Sequence, residues 1–293
     1  MIVRVHSNGR PGLAIALFSL GICLFAINDA LGKWLVADYP VGQIMLIRTI
    51  GAGVFLLPML VSRPESRRMP PRLGLHLLRV LVMAGDSFAF YAATQALPLA
   101  DVMTFYLAAP LFITVLAVAL LGERIGPWRI AALGLGFLGV LVALRPSGQV
   151  LSGHALIALG GSLMFAIAMV ITRRLSRTDW LTLVAWQFVG AGLIGGAVSA
   201  FHWVTPSLRD AGLMLLVGLV SMTCFICVNK ALSLAQASLL APFHYTAIVW
   251  AVLLGWLIWG DLPSQAMWVG IALIVASGAL ILFRPQQDVA AVE

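Results

Sequence analysis

Several charged side chains stand inside long apolar stretches of the sequence, among them Asp29, Arg48 and Asp86. A charge held near the centre of a bilayer costs about 3 kcal/mol or more, so such a residue usually faces a wet interior or a partner. A guanidinium binds carboxylates and a carboxylate binds ammonium groups. The set therefore predicts a site for a zwitterion, with Arg48 or Lys33 on its carboxylate and Asp86 on its ammonium.

The spacing of these residues leaves structural alternatives open. Asp29 and Arg48 each lie about seven residues, or roughly 10 Å at the helical rise, from the outer end of their apolar stretch, so they could pair and lock two helices. Asp29 and Lys33 are i,i+4 neighbours and form an alternative local pair. Asp86 has no obvious partner near it in the sequence, so it is the residue most expected to face substrate, unless it is protonated within the helix packing.

Aromatic and amide side chains extend this candidate site. A tyrosine hydroxyl deep in a bilayer requires a partner, which favours interior positions for Tyr91, Tyr106 and Tyr245. Gln187 and His244 either bind substrate or bond a neighbouring helix. The predicted substrate-binding residues are Asp29, Lys33, Arg48, Asp86, Tyr91, Tyr106, Gln187, His244 and Tyr245.

A glycine pattern raises the question of a nucleotide cofactor. Gly134, Gly136 and Gly139 fit the spacing GxGxxG, but a dinucleotide site also needs a preceding strand and an acidic residue about 20 positions later. The next acidic residue is Asp179. We interpret these glycines as small residues that let membrane helices approach closely.

The sequence offers no catalytic or metal-binding constellation. Cys224 and Cys227 form a CxxC, but they lie in an apolar run where we expect them to serve packing. There is no HExxH, the carboxylates are scattered, and no serine stands in the GxSG context of an intramembrane protease. We therefore expect no enzyme, no cofactor and no resident metal.

The elements that must position these residues are membrane-spanning helices. The chain is 61% hydrophobic and 10% charged, whereas about a quarter of the residues in soluble domains are charged. Apolar runs close to the roughly 20 residues of a membrane span recur along the chain. The predicted spans are 12–36, 41–62, 73–96, 99–121, 127–144, 152–174, 180–202, 210–232, 236–259 and 264–283.

The basic residues predict the orientation. Most of the 18 lysines and arginines fall on the side of the N-terminus, whereas Lys33, Arg145 and Arg209 fall on the opposite side. Basic residues near helix ends stay in the cytoplasm. We predict an inner-membrane protein with both termini cytoplasmic and an uncleaved first helix. The net charge of +7 then follows from the basic residues on the cytoplasmic side, and we expect no nucleic-acid partner.

The two halves of the chain resemble each other. "LFAINDALGKWL" at 24–35 matches "MFAIAMVITRRL" at 164–175, and "ALPLA" at 96–100 returns as "ALSLA" at 231–235. Because each unit has five helices, an odd number, the second copy must enter the membrane from the other side. This predicts inverted repeats over residues 1–146 and 147–293. Pro110 and Pro242 recur in the same order, and we expect each to kink its helix and to serve as a hinge.

The stretch 96–146, with its P…LGE…G…G sequence, resembles the EamA domain of the drug/metabolite transporter superfamily. "RTIGAG" at 48–53 is similar to the second helix of that family. The second half departs from the pattern, because Asp261 replaces the glutamate and Ala168 and Met169 stand where the first half has Asn28 and Asp29.

The resemblance implies an all-α integral membrane protein with ten transmembrane helices in two inverted five-helix repeats. It also implies a central cavity and transport of a small molecule by alternating access. The general likeness is greatest to the YddG-type exporters of aromatic amino acids. We therefore expect a monomer that exports aromatic and other neutral amino acids. The alternative is a proton-coupled transporter of other small metabolites or cationic drugs, in which Asp29 and Asp86 are the anchors.

Overall fold

The computed structural model describes residues 11–63, 66, 70, 72–96, 99–123, 125–144, 153–259 and 265–283, and within these ranges it contains helices and no strand. The α-helices are α1 (Pro11–Val36), α2 (Val41–Ser62), α3 (Leu73–Ala96), α4 (Leu99–Tyr106), α5 (Ala109–Leu121), α6 (Pro127–Leu144), α7 (Gly153–Arg174), α8 (Trp180–Ser199), α9 (Leu208–Leu234), α10 (Ala237–Leu240), α11 (Thr246–Trp259) and α12 (Gln265–Phe283), and a 3₁₀-helix (Ala241–Tyr245) joins α10 to α11. In the described part of the chain, six helices are long and apolar enough to cross a bilayer, namely α1, α2, α3, α7, α8 and α9.

Local signals set several helix ends. The Asp179 side chain accepts a hydrogen bond from the Leu181 amide at the start of α8, and Ser207 does the same for Asp210 at the start of α9. Both side chains satisfy amides that have no partner within the helix. Gly122 ends α5 in the left-handed conformation, with φ of 65°, which costs little without a Cβ atom.

Regular α-helical hydrogen bonding is interrupted near Pro110 and Pro242, while the neighbouring residues Ala108 and Leu240 keep helical dihedral angles. The span predicted at 99–121 is divided into α4 and α5, and Pro110 lies in the first turn of α5. Pro242 lies at the start of the 3₁₀-helix. A first turn tolerates proline because its amides have no helical acceptor in any case. The chain therefore restarts its helix at each proline.

The helices of the two halves pack in exchanged pairs. The most extensive helix contacts are α1 with α9, α3 with α7, α2 with α8 and α6 with α12. Suppose that α1, α2, α3 and α6 of the first half correspond to α7, α8, α9 and α12 of the second. Exchanging the halves then converts the α1–α9 contact into the α3–α7 contact, and it leaves the α2–α8 and α6–α12 contacts unchanged. This is the arrangement that a two-fold related repeat requires. The predicted division at residues 146 and 147 lies outside the described residues.

Two of the three GxGxxG glycines, Gly136 and Gly139, lie at close helix contacts, as the sequence predicted. A Cβ atom at Gly139 would lie 2.8 Å from the Gly270 carbonyl oxygen of α12, and one at Gly136 would overlap the Tyr245 ring. Gly134 faces open space. All three lie within the continuous helix α6, where no strand-to-helix turn could cradle a phosphate.

One end of the bundle, here named the Glu123 end, is closed by buried polar groups. The Glu123 carboxylate accepts hydrogen bonds from the amides of Ala237 and Ser238 at 3.0 and 2.9 Å. It also lies 3.8 Å from the guanidinium of Arg173. Arg173 in turn donates to the Leu232 carbonyl at 2.7 Å. The first half is therefore bonded to the end of α9 and the start of α10.

Arg79 joins four helices just inside this end. It is fully buried, and it donates to Thr172 Oγ1 of α7 at 2.7 Å, to the Leu183 carbonyl of α8 at 3.1 Å and to Asn229 Oδ1 of α9 at 3.2 Å. These bonds supply the partners that a buried guanidinium requires. This buried arginine of α3 is thus a structural connector.

The opposite end, here named the Tyr39 end, is joined by fewer contacts among the described residues. The Tyr39 hydroxyl donates to Asp210 at 2.8 Å, which raises the pKa of Tyr39. The Gln43 side chain exchanges two hydrogen bonds with the backbone of Val204, at 2.6 and 3.0 Å. These contacts connect the α1–α2 turn to the segment before α9.

Candidate functional site

A cavity lies between the two halves, lined by α1, α2, α3 and α4 from the first and by α7, α8, α9, the 3₁₀-helix and α11 from the second. Its volume of about 160 Å³ has room for on the order of ten water molecules. A small metabolite therefore fits. Seven of the nine predicted site residues line the cavity, namely Asp29, Arg48, Asp86, Tyr91, Tyr106, Gln187 and His244.

The three charged residues meet in this cavity. Arg48 is buried and lines the cavity together with Asp29 and Asp86. No ion pair joins Arg48 to either aspartate within the described part of the chain, so the alternative of a locked α1–α2 pair is wrong for this structure. The Arg48 Nε atom has no hydrogen-bond partner among the described residues. The guanidinium is therefore placed to bind a ligand.

Asp86 has a partner that sequence spacing did not reveal. The Tyr106 hydroxyl donates to Asp86 Oδ1 at 2.8 Å and approaches the Asp86 carbonyl oxygen at 3.1 Å. Tyr106 is the last residue of α4, so the break before Pro110 sets where its side chain points. The bond fixes one carboxylate oxygen and leaves the other for a ligand.

Asp29 is held by a polar chain that the sequence analysis missed. The Asn28 amide donates to Asp29 Oδ1 at 3.4 Å, and Asn28 Oδ1 accepts from the Ser221 hydroxyl of α9 at 2.5 Å. All three line the cavity. An asparagine beside an aspartate within an apolar span was a visible signal for Asn28, whereas Ser221 resembles any serine in a helix.

Aromatic rings form two groups on the cavity wall. Near Asp86, the Phe90 ring lies edge-on to Tyr91 and Tyr106, with centroids 5.5 and 5.2 Å apart. The second group contains Phe25, Phe165, Phe225 and His244. The phenylalanines of this group were not predicted, because an apolar ring in a membrane helix has the same sequence signal whether it faces lipid or substrate.

Lys33 and Tyr245 lie outside the cavity. Lys33 stands in the last turn of α1 and is exposed, because it is one turn beyond Asp29 and close to the end of the helix. Tyr245 is fully buried against Leu107, Leu133, Ile248 and Ile274. Consecutive residues of a 3₁₀-helix point about 120° apart, so His244 can face the cavity while Tyr245 faces α6.

Gln187 reaches the cavity from α8 and is 3% exposed. Its Oε1 atom has no hydrogen-bond partner among the described residues, and the same holds for Nδ1 of His244. Within the described ranges, no group of three or more histidine, cysteine, aspartate or glutamate side chains is arranged to hold a metal ion. The cavity thus combines acidic and basic side chains, aromatic walls and polar atoms without a partner, which are the features of a binding site.

Comparison with protein-family models gives a match in each half of the chain. The model of the EamA-like transporter family matches residues 12–145 and 152–283. The two matched segments agree with the two repeats that the helix packing shows.

Curated relatives cover nearly the whole chain. A riboflavin transporter of Rhizobium johnstonii is 31% identical over 262 residues, which are 88% of this chain and 87% of the relative. An S-adenosylmethionine uptake transporter of Rickettsia prowazekii is 24% identical over 98% of this chain and 96% of its own length. A pseudopaline exporter of Pseudomonas aeruginosa is 28% identical over 93% and 94% of the two chains.

A solved crystal structure has the same fold. It superposes with a TM-score of 0.80 at 21% identity and covers 94% of this chain and 98% of its own. The three curated relatives are named for cargo other than aromatic amino acids, so the finer resemblance to aromatic amino-acid exporters does not extend to them.

Proposed function

This chain belongs to the EamA-like transporter family, and we propose that it carries a zwitterionic metabolite of the amino-acid class through the cavity between its two halves. As a multi-pass membrane protein of a transporter family, it moves small molecules across a membrane. The proposal concerns the cargo and rests on one observation: a guanidinium with an unsatisfied Nε shares a cavity with two carboxylates and aromatic side chains.

The charges match the two poles of an amino acid. In a cavity of low polarity, Arg48 is the group that can neutralise a carboxylate, and its planar donors favour that partner. Asp86 keeps one carboxylate oxygen free for an ammonium group, while Tyr106 holds the other. A ligand that carries both charges removes the cost of leaving each protein charge unpaired.

The second carboxylate favours a second candidate, a zwitterion with one further positive charge. With all three groups ionised, Asp29, Arg48 and Asp86 leave the cavity with one net negative charge. S-adenosylmethionine carries a sulfonium and an ammonium against one carboxylate, and some relatives are named as its uptake transporters. Asp29 is then the residue for the extra cation.

The transport cycle follows from the repeat. The ten predicted spans in two inverted units would allow the halves to rock about the cavity and expose it to each side in turn. The breaks at Pro110 and Pro242 are the proposed hinges. The predicted topology places the Glu123 end and both termini in the cytoplasm of a bacterial inner membrane. Cargo would then pass between the cavity and the cytoplasm only after the buried polar contacts of the Glu123 end separate.

The test is flux in liposomes that contain the purified protein. Labelled tryptophan, phenylalanine, threonine, methionine and S-adenosylmethionine are compared with a lipophilic cation, in both directions and with and without a pH gradient. We expect zwitterions to move without the gradient. Arg48→Met and Asp86→Asn should each lower kcat/KM by about tenfold to a hundredfold, as the loss of a buried charge partner implies.

Two surface variants provide matched controls. Arg174 and Asp38 are exposed and lie away from the cavity, so Arg174→Met and Asp38→Asn should transport as the native protein does. Flux that depends on Asp29 and is confined to S-adenosylmethionine would select the second candidate. Transport of the lipophilic cation alone, and only with a proton gradient, would refute both candidates.

A further inference from the structure

The cavity has a second, aromatic pole next to the charged one. On α1, Phe25 precedes Asp29 by one helical turn, which is about 6 Å along the helix axis. On the antiparallel helix α9, Phe225 follows Ser221 by one turn. Asn28 and Ser221 are bonded to each other, so both phenylalanines lie on the same side of the charged layer. A ligand bound through its charged head extends toward these rings.

The rings of this pole stand at well-defined angles. Phe25 packs edge-on against Phe225 with centroids 5.4 Å apart and against Phe165 at 6.3 Å. The His244 ring lies 5.0 Å from Phe165 with an interplanar angle of 37°. Faces and edges of aromatic rings favour another aromatic ring as partner. The pole therefore suits a flat ring better than a branched aliphatic chain.

Two side chains that line the cavity carry polar atoms without a partner. Nδ1 of His244 and Oε1 of Gln187 are buried, and neither has a hydrogen-bond partner among the described residues, although both side chains line the cavity. Buried polar atoms are almost always satisfied in proteins, by protein groups, water or a ligand. A hydrocarbon ring would leave both atoms unsatisfied, whereas a ring that contains nitrogen can bond to them.

We infer that Gln187, His244 and the three phenylalanines form a subsite for a nitrogen-containing aromatic ring, such as an indole or a purine. The substrate class is thus a zwitterionic head joined to a heteroaromatic group. The zwitterionic head rests on the proposed function, but the preference of the subsite for nitrogen is a separate property. Tryptophan and S-adenosylmethionine belong to this class, whereas phenylalanine and methionine do not.

The first experiment compares tryptophan with phenylalanine in the liposome assay. The ratio of their kcat/KM values should favour tryptophan in the native protein. It should fall by about tenfold in one of His244→Phe and Gln187→Leu, namely the variant that removes the acceptor of the single indole N–H. His202 is exposed and outside the cavity, so His202→Phe is the control. An unchanged ratio in both cavity variants would refute the subsite.

The second experiment tests the ring alone. Indole and indene have the same size and shape, but only indole has an N–H group. Their dissociation constants come from the ligand-dependent shift of the melting temperature in detergent. We expect indole to bind the native protein about tenfold more tightly than indene, with the difference lost in whichever of His244→Phe and Gln187→Leu removes the acceptor of its N–H. Equal binding of the two rings refutes the subsite. Selective binding of indole without transport of any zwitterion would refute the proposed function and leave the subsite standing.

Discussion

The contact between α2 and α9 at Arg48 allows a stringent test of how the site is positioned. A Cβ atom at Gly218 would overlap the Arg48 carbonyl oxygen and lie 2.8 Å from its carbonyl carbon and 2.9 Å from the Ala52 amide nitrogen. These are backbone atoms, so no side-chain rotation can relieve the overlap. We predict that Gly218→Ala forces the two helices apart at the level of the binding guanidinium.

The size of the effect follows from these distances. Ordinary contact of a Cβ atom begins at 3.4 Å, so the carbonyl carbon must move by at least about 0.6 Å. Overpacking costs about 1–3 kcal/mol, and a rigid backbone contact belongs at the upper end. The higher helix propensity of alanine offsets about 1 kcal/mol of this cost. The net loss of folding free energy is therefore about 2 kcal/mol, and a displaced Arg48 should lower transport by about a hundredfold.

Gly212 of the same helix supplies the matched control. A Cβ atom there meets nothing within 4 Å, so Gly212→Ala should keep its transport and gain up to about 1 kcal/mol in stability. Both variants are compared by denaturant unfolding in detergent and by flux in liposomes. The reasoning is refuted if Gly218→Ala matches Gly212→Ala in both assays.

Two further predictions concern hydrogen bonds between helices. Glu123→Ala removes the acceptor for the Ala237 and Ser238 amides and the charge beside Arg173. It should lower the free energy of unfolding by about 3–5 kcal/mol, with a smaller loss in Glu123→Gln, and an undiminished unfolding midpoint in the alanine variant would contradict this. Tyr106→Phe removes the bond to Asp86 and should raise KM for the zwitterionic substrate by about fivefold, equivalent to about 1 kcal/mol, with kcat little changed. An unaltered KM would show that Asp86 needs no such support.

The sequence alone identified much of the fold and the charged part of the cavity. Runs of about 20 apolar residues must cross the membrane as helices, since the backbone has no other way to satisfy its hydrogen bonds in lipid. Asp29, Arg48 and Asp86 had to face inward because lipid would penalise their charges. Neither conclusion requires knowledge of which helices are neighbours, and the structure places all three residues in one cavity.

Only the tertiary structure decided the partners and the apolar lining. Ser221 reaches Asn28 across 193 positions of the chain, and the break at Pro110 brings Tyr106 to Asp86. Phe25, Phe165 and Phe225 could not be assigned in advance, because burial against lipid and burial against substrate select the same residue type. Tyr245 was misplaced for a related reason. The path of the 3₁₀-helix turns its hydroxyl into the protein, and which face of a helix meets a cavity depends on the helices packed around it.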